Sequence, residues 1–202
     1  MKRTLEPEIM LDALKCKEYN NVSHRQYKNN QYLNYYEKYC GLTKGTLIDL
    51  GSGPGVHLEY MRLRFPDLKI IGYESSDAMI ALANENTSVE IQKGNIYDIN
   101  DTSDGVLCMY TLHHLHDPIK FWKTVSRISK GYVYIEDFER PMTDIMFDKF
   151  NAIDDFKHSL KASFTLNEIK SQLICVGLNY NVIRKPIDFE KELYKLIIYQ
   201  KI

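Results

Sequence analysis

Residues 46–55 read Thr-Leu-Ile-Asp-Leu-Gly-Ser-Gly-Pro-Gly, and this decapeptide constrains the fold more than any other stretch of the chain. An apolar run carrying Asp49 ends at Leu50, and glycines then stand at alternate positions, Gly51, Gly53 and Gly55. The pattern predicts a buried strand that runs into a tight loop and then into a helix. Glycine is required where the backbone takes torsions closed to other residues or lies directly against a ligand, because a side chain obstructs both. This first β–α turn is therefore expected to bind a ligand.

The spacing narrows the choice of ligand. A dinucleotide fingerprint, GxGxxG, would need its third glycine at position 56, where the chain has Val56. The observed pattern is D-x-G-x-G-x-G from Asp49, which resembles the first motif of the class I S-adenosylmethionine-dependent methyltransferases. Glu74 follows at the end of the next apolar run, where an acid can bridge two vicinal ribose hydroxyls. Dehydrogenases use the same device, so Glu74 points to an adenosine ligand without separating the two families.

From Leu47 onward, short apolar runs alternate with helical patterns, which predicts β–α units around a mostly parallel sheet. Strands are expected at 46–50, 70–74, 89–92, 105–110 and 131–136, with helices from about Gly55 to Arg64, after Ser76-Asp77 and after Asp117-Pro118. Residues 142–160 read as a helical insert, and Thr165-Leu166-Asn167-Glu168 as a capping box opening a helix that Gly177 stops. Two last strands, about 179–184 and 193–200 with Pro186 between them, lack a crossover and are expected to pair as an antiparallel hairpin. The fold class is thus α/β, a Rossmann-like, doubly wound, mostly parallel sheet with a C-terminal antiparallel β-hairpin. It resembles the seven-stranded methyltransferase fold. A single domain is expected over 1–202, with an N-terminal helical lid at 1–43, a cofactor-binding core at 44–140, the insert at 141–177 and the hairpin at 178–202.

Composition sets the remaining bounds. A net charge of −1 provides no bulk field to hold nucleic acid or an anionic membrane. Cys16, Cys40, Cys108 and Cys175 are scattered without a C-x-x-C pair, which favours reduced thiols and a cytoplasmic setting over disulfides or structural zinc. No apolar stretch approaches the length of a membrane span, and charges interrupt the start of the chain too early for a signal peptide.

The resemblance extends over residues 46–200 and implies roles for particular positions. The backbone of Gly51, Ser52 and Gly53, with Gly55 ending the loop, would approach the amino-acid half of S-adenosyl-L-methionine. Asp49 would bind its ammonium directly or through water, and Glu74 its ribose. Ser75 and Met79 would flank the adenine, with Ile96 on the other face. Where many members carry Gly-Asp, this chain has Gly94-Asn95, so the Asn95 carbonyl replaces a carboxylate as acceptor for the adenine amino group. Met109-Tyr110-Thr111-Leu112-His113-His114-Leu115 is similar to the family's segment beside the sulfonium, which assigns Tyr110 and Thr111 to the cofactor. Glu6-Pro7-Glu8-Ile9-Met10 and Ala162-Ser163-Phe164-Thr165-Leu166-Asn167-Glu168-Ile169 resemble one branch of small bacterial members.

The activated methyl needs an in-line nucleophile and exclusion of water, and a base only when the acceptor holds its proton at neutral pH. His114 is the candidate base. The competing reading has one histidine of the pair packed under the loop and the other capping the next helix. His113, His114 and His116 form H-H-x-H, but the segment lacks a supporting cysteine and no carboxylate-rich metal site is apparent, so no metal is expected. Tyr32, Tyr35, Tyr36 and Tyr39 fall on one helical face, and Tyr19 and Arg25 are candidate lid contacts to substrate. The expected activity is methyl transfer to a small-molecule acceptor. Three alternatives stay open: a non-catalytic S-adenosylmethionine-binding partner protein, an RNA or protein methyltransferase, and an NAD-dependent oxidoreductase.

Overall fold

A computed structural model describes residues 2–6, 12–142, 154–187 and 190–201. Pro7–Met10 of the opening motif and 143–153 of the expected insert lie outside the described residues. Two helices, α1 (Ala13–Tyr27) and α2 (Gln31–Tyr39), precede the alternating core. The core runs β1 (Gly45–Leu50), α3 (Val56–Arg64), β2 (Leu68–Glu74), α4 (Asp77–Asn86), β3 (Glu90–Lys93), β4 (Ser103–Met109), α5 (Pro118–Ile128) and β5 (Ser129–Phe138). Helices α6 (Asp154–Ala162) and α7 (Leu166–Cys175) then lead to β6 (Asn181–Ile187) and β7 (Glu190–Gln200).

The seven strands form one sheet in the order β3-β2-β1-β4-β5-β7-β6. Strands β1 to β5 pair in parallel, and β7 runs antiparallel between β5 and β6. Chain order reverses at β1, where β2 lies on one side and β4 on the other, so the crevice at their carboxyl ends is the switch point where open α/β sheets bind ligands. Alternation along β1 divides the core. Leu47 faces the layer of Tyr32, Tyr36, Leu58 and Met61, while Ile48 faces that of Phe121, Trp122, Val125 and Leu173.

Local chemistry accounts for the element ends. The Ser76 hydroxyl accepts from Met79 N–H to open α4, and the Asp117 carboxylate accepts from Lys120 N–H ahead of Pro118 to open α5. Thr165 and Glu168 close a reciprocal capping box on α7. Tyr32 and Tyr36 are buried with their hydroxyls donating to the carbonyls of His57 and Leu42, each at 2.7 Å, so the aromatic face of α2 leaves neither phenol unsatisfied.

Two boundaries differ from expectation. Pro186 sits inside β6, paired with Tyr194 next to a register shift. An edge strand tolerates this because one side of it has no ladder to donate to. Strand β5 continues to Phe138, which carries Asp137 to the same end of the sheet as the glycine loop.

Candidate active site

Gly51, Gly53 and Gly55 all take positive φ, at 78°, 52° and 71°. A Cβ on Gly51 would collide with the Thr111 side chain, and one on Gly55 would meet Thr87 and Ala83. Gly53 is different: its nearest neighbour would be Tyr19 at 3.9 Å, so its bare backbone faces open space. Gly55 serves as the N-cap of α3 and Gly51 holds the turn, whereas Gly53 leaves its backbone open to the space beside it.

The loop borders a cavity of about 260 Å³ at the carboxyl ends of β1, β2 and β4. Gly51, Ser52, Gly53, Glu74, Ser75, Met79, Asn95, Ile96, Tyr110 and Thr111 all line it. Asp49 and Gly55 do not; they lie behind the loop. Glu74 anchors the cavity's floor. One carboxylate oxygen accepts from Gly53 N–H at 2.9 Å, and the other accepts from Ser75 and Ser76 N–H at 2.8 and 2.9 Å. Asn95 Oδ1 accepts from Tyr97 N–H at 3.0 Å, so the expected adenine acceptor first caps its own turn.

Asp49 is fully buried on β1. Its Oδ2 lies 3.2 Å from His57 Nε2, and its Oδ1 has no hydrogen-bond partner. A buried carboxylate oxygen without a donor is costly and suits a cationic group brought in by a ligand. His57 was not singled out in the sequence because it points back from α3 to β1, a contact that helical spacing does not reveal.

A second cavity, of about 450 Å³, adjoins the first, and Glu6, Tyr19, Tyr110 and His114 line both. Phe138 and Phe156 form its apolar wall, and Lys15, Glu18 and Arg25 stand around it. Arg25 therefore borders only this larger space, while Tyr19 stands at the junction. Tyr110 is one of two described non-glycine residues with positive φ, at 50°. It is held there by Glu136, whose backbone carbonyl accepts Tyr110 N–H and whose Oε1 accepts the phenol at 2.6 Å. The same carboxylate accepts from Tyr134 and from the buried Lys195 ammonium, at 2.6 and 2.7 Å. A strained residue so firmly held at the meeting of two cavities fixes the shape of the passage between them.

His113 is buried, with Nδ1 2.7 Å from Asp137 Oδ1 and its backbone N–H donating to Asp137 Oδ2 at 2.8 Å. Burial opposes its charge, but Asp137 and then Glu6 outweigh that and raise the imidazole to about 9. Burial and the charge of His113 depress His114 to about 4, against the pull of Glu6 and Asp137. His114 is thus neutral at neutral pH but a poor store for a proton. Asp117, not a histidine, caps α5. Glu6 and Asp137 are the functional candidates that sequence reading passed over. Asp137 ends β5 at the site, and Glu6 reaches it only through the fold.

The comparisons agree with this architecture. A family model described as a methyltransferase domain matches residues 22–181. A putative S-adenosyl-L-methionine-dependent methyltransferase from Methanococcus maripaludis superposes with a TM-score of 0.72 at 20% identity, covering 96% of each chain. A SAM-dependent methyltransferase from Aquifex aeolicus gives 0.69 at 21% identity, over 94% of this chain and 97% of its own. The plantazolicin methyltransferase BpumL, solved with a triazolic desmethylPZN analog and SAH, gives 0.69 at 16% identity, over 94% and 90%. Trans-aconitate 2-methyltransferase from Variovorax paradoxus is 46% identical over 39 residues, a stretch spanning 19% of this chain and 15% of that enzyme. The chain belongs to the methyltransferase-domain family and has the class I, S-adenosylmethionine-dependent methyltransferase fold.

Proposed function

We propose that this enzyme transfers a methyl group from S-adenosyl-L-methionine, held in the smaller cavity, to a small molecule held in the larger one. The observation that carries the reading is the pair of adjoining cavities with Glu6, Tyr19, Tyr110 and His114 in common. When bound, the cofactor supplies a methyl already activated by a positively charged sulfur. The chain's own part is to bind, orient and exclude water. The Gly51–Gly53 backbone receives the amino-acid end, and Asp49 Oδ1, buried behind the loop without a partner, is the acceptor for its ammonium directly or through water. Glu74 exchanges one of its loop contacts for the ribose hydroxyls, and Met79 and Ile96 flank the adenine.

The larger cavity favours a small acceptor. An aromatic wall of Phe138 and Phe156 near Tyr110 suits an apolar or aromatic body, and Lys15 and Arg25 suit an anionic substituent at its edge. A net charge of −1 supplies no bulk field for RNA. Among the described residues no helix is long and apolar enough to cross a membrane, and Cys40, Cys108 and Cys175 are free thiols, which supports a cytoplasmic setting.

The test is production of S-adenosylhomocysteine by the purified chain with separate small-metabolite, protein and RNA fractions. The reading expects turnover with the small-metabolite fraction alone. Turnover confined to protein or RNA would overturn the acceptor class, and cofactor binding without turnover in any fraction would favour a non-catalytic binding module.

A further inference from the structure

None of the four residues of the H-H-x-H segment is a carboxylate, but the fold brings one to it from the N-terminal segment. Glu6 Oε2 lies 3.4 Å from His113 Nε2 and 3.2 Å from His114 Nδ1. One ligand-type atom from each of the three residues falls within 4.8 Å of the others. Tetrahedral zinc, with bonds of about 2.0–2.2 Å to nitrogen and oxygen, separates its ligands by about 3.3–3.5 Å. The two measured separations match that edge closely.

The surroundings are those of a metal site as well. Asp137 Oδ1 faces His113 Nδ1 at 2.7 Å, which orients the ring with Nε2 toward Glu6, the carboxylate–histidine arrangement that supports metal-bound imidazoles. Ser159 Oγ donates to Glu6 Oε1 at 3.0 Å and fixes the carboxylate with Oε2 inward. The Glu6 side chain is 2% exposed, yet Oε2 has no hydrogen-bond partner. A buried carboxylate oxygen that faces two ring nitrogens without a hydrogen bond of good geometry to either is an environment that a divalent cation completes, in exchange for the His113 proton.

We propose that Glu6, His113 and His114 bind one divalent transition cation of the zinc class, with its open coordination position toward the larger cavity. All three residues line that cavity. A donor atom of the acceptor, such as a hydroxyl or thiol, would take the open position; this last clause rests on the proposed function, whereas metal binding does not.

The experiment uses the full chain, stripped with a chelator and titrated with Zn²⁺ against a chromogenic indicator and with Co²⁺ by its visible spectrum. One ion per chain is expected, with the intense band of low-coordinate Co²⁺. Glu6→Gln and His114→Ala should each weaken Zn²⁺ binding roughly tenfold or more, and Asp137→Asn roughly 10–100-fold through the orientation of His113. Circular dichroism checks that each variant folds, and Cys175→Ser, at an exposed thiol, should bind as the parent does. Absence of binding, binding unchanged in both Glu6→Gln and His114→Ala, or binding lost in Cys175→Ser would overturn the proposal. The readout is the ion, so a negative result leaves the methyl-transfer reading standing, and a failure of methyl transfer leaves the metal site standing.

Discussion

Glu74 is a side chain that builds the loop and, in the proposed function, also serves the cofactor. Its two oxygens accept backbone N–H groups from Gly53, Ser75 and Ser76, which pins the glycine loop to the end of β2. Charge-assisted hydrogen bonds of this kind contribute about 1.5–3 kcal/mol each. Replacing Glu74 by Ala is expected to weaken S-adenosylhomocysteine binding by roughly 10–100-fold, the equivalent of one such bond. Fluorescence or calorimetric titration checks it, and an unchanged affinity would mean that the ribose is held elsewhere. Much of the lining of the smaller cavity could be read from residues alone: the glycine spacing, Glu74 at a strand end, and Gly94-Asn95 after β3 all carry local signals. Asp49 could be read as an acid before the loop, but its burial against His57 could not, because that pairing joins a strand to the next helix. Glu6 was out of reach for the same reason: no local period links it to His113 and His114.

At the scale of elements, the parallel core meets the terminal hairpin at β5 and β7. Glu136 and Lys195 lie two positions out of register there, on the same face of the sheet, and form a buried ion pair, further satisfied by Tyr110 and Tyr134. Removing one partner strands the other charge. Lys195→Met is expected to destabilise the fold by about 3–5 kcal/mol, and Glu136→Gln in the same chain should restore part of that loss. Urea denaturation measures both, and equal stability of Lys195→Met and the parent would contradict the pairing. The joint between α3 and the loop after α4 is more exposed. Glu59 accepts from Arg62, Thr87 and Ser88, and the Arg62 hydrogen bond leads in pulling its carboxyl down to about 2, against the opposing effect of burial. A lowered folded value means that the stabilisation is present above the unfolded value of about 4.3 and is lost as pH falls toward about 2. The urea midpoints of the parent and Glu59→Gln should therefore differ at pH 7 and converge on acidification across that window. A constant difference would show that Glu59 acts without its charge. The strands themselves, the helix caps and the closing hairpin followed from local patterns, whereas Pro186 inside β6 and the extension of β5 to Asp137 did not. Edge position and pairing partners decide those ends, and neither is a property of the segment itself.

Across the whole molecule, function follows from where the sheet reverses and what covers that point. The strand order puts the glycine loop, Glu74 and the end of β4 at one crevice. Helix α1 adds Tyr19 above it, and the N-terminal segment is strapped across by Arg3, whose guanidinium donates to the carbonyls of His113, Leu115 and Ala162. The covering elements contribute Glu6, Lys15, Glu18, Tyr19 and Arg25 to the larger cavity, so the proposed function assigns acceptor choice mainly to them and cofactor choice to the core. The central claim is that the Asp49–Gly55 loop and Glu74 form a cradle for S-adenosylmethionine. Calorimetric titration of the purified chain with S-adenosylhomocysteine and, separately, with NAD tests it most directly. The account expects one S-adenosylhomocysteine per chain, bound much more weakly by a folded Glu74→Ala variant, and no saturable NAD binding; tight NAD binding without S-adenosylhomocysteine binding would contradict it.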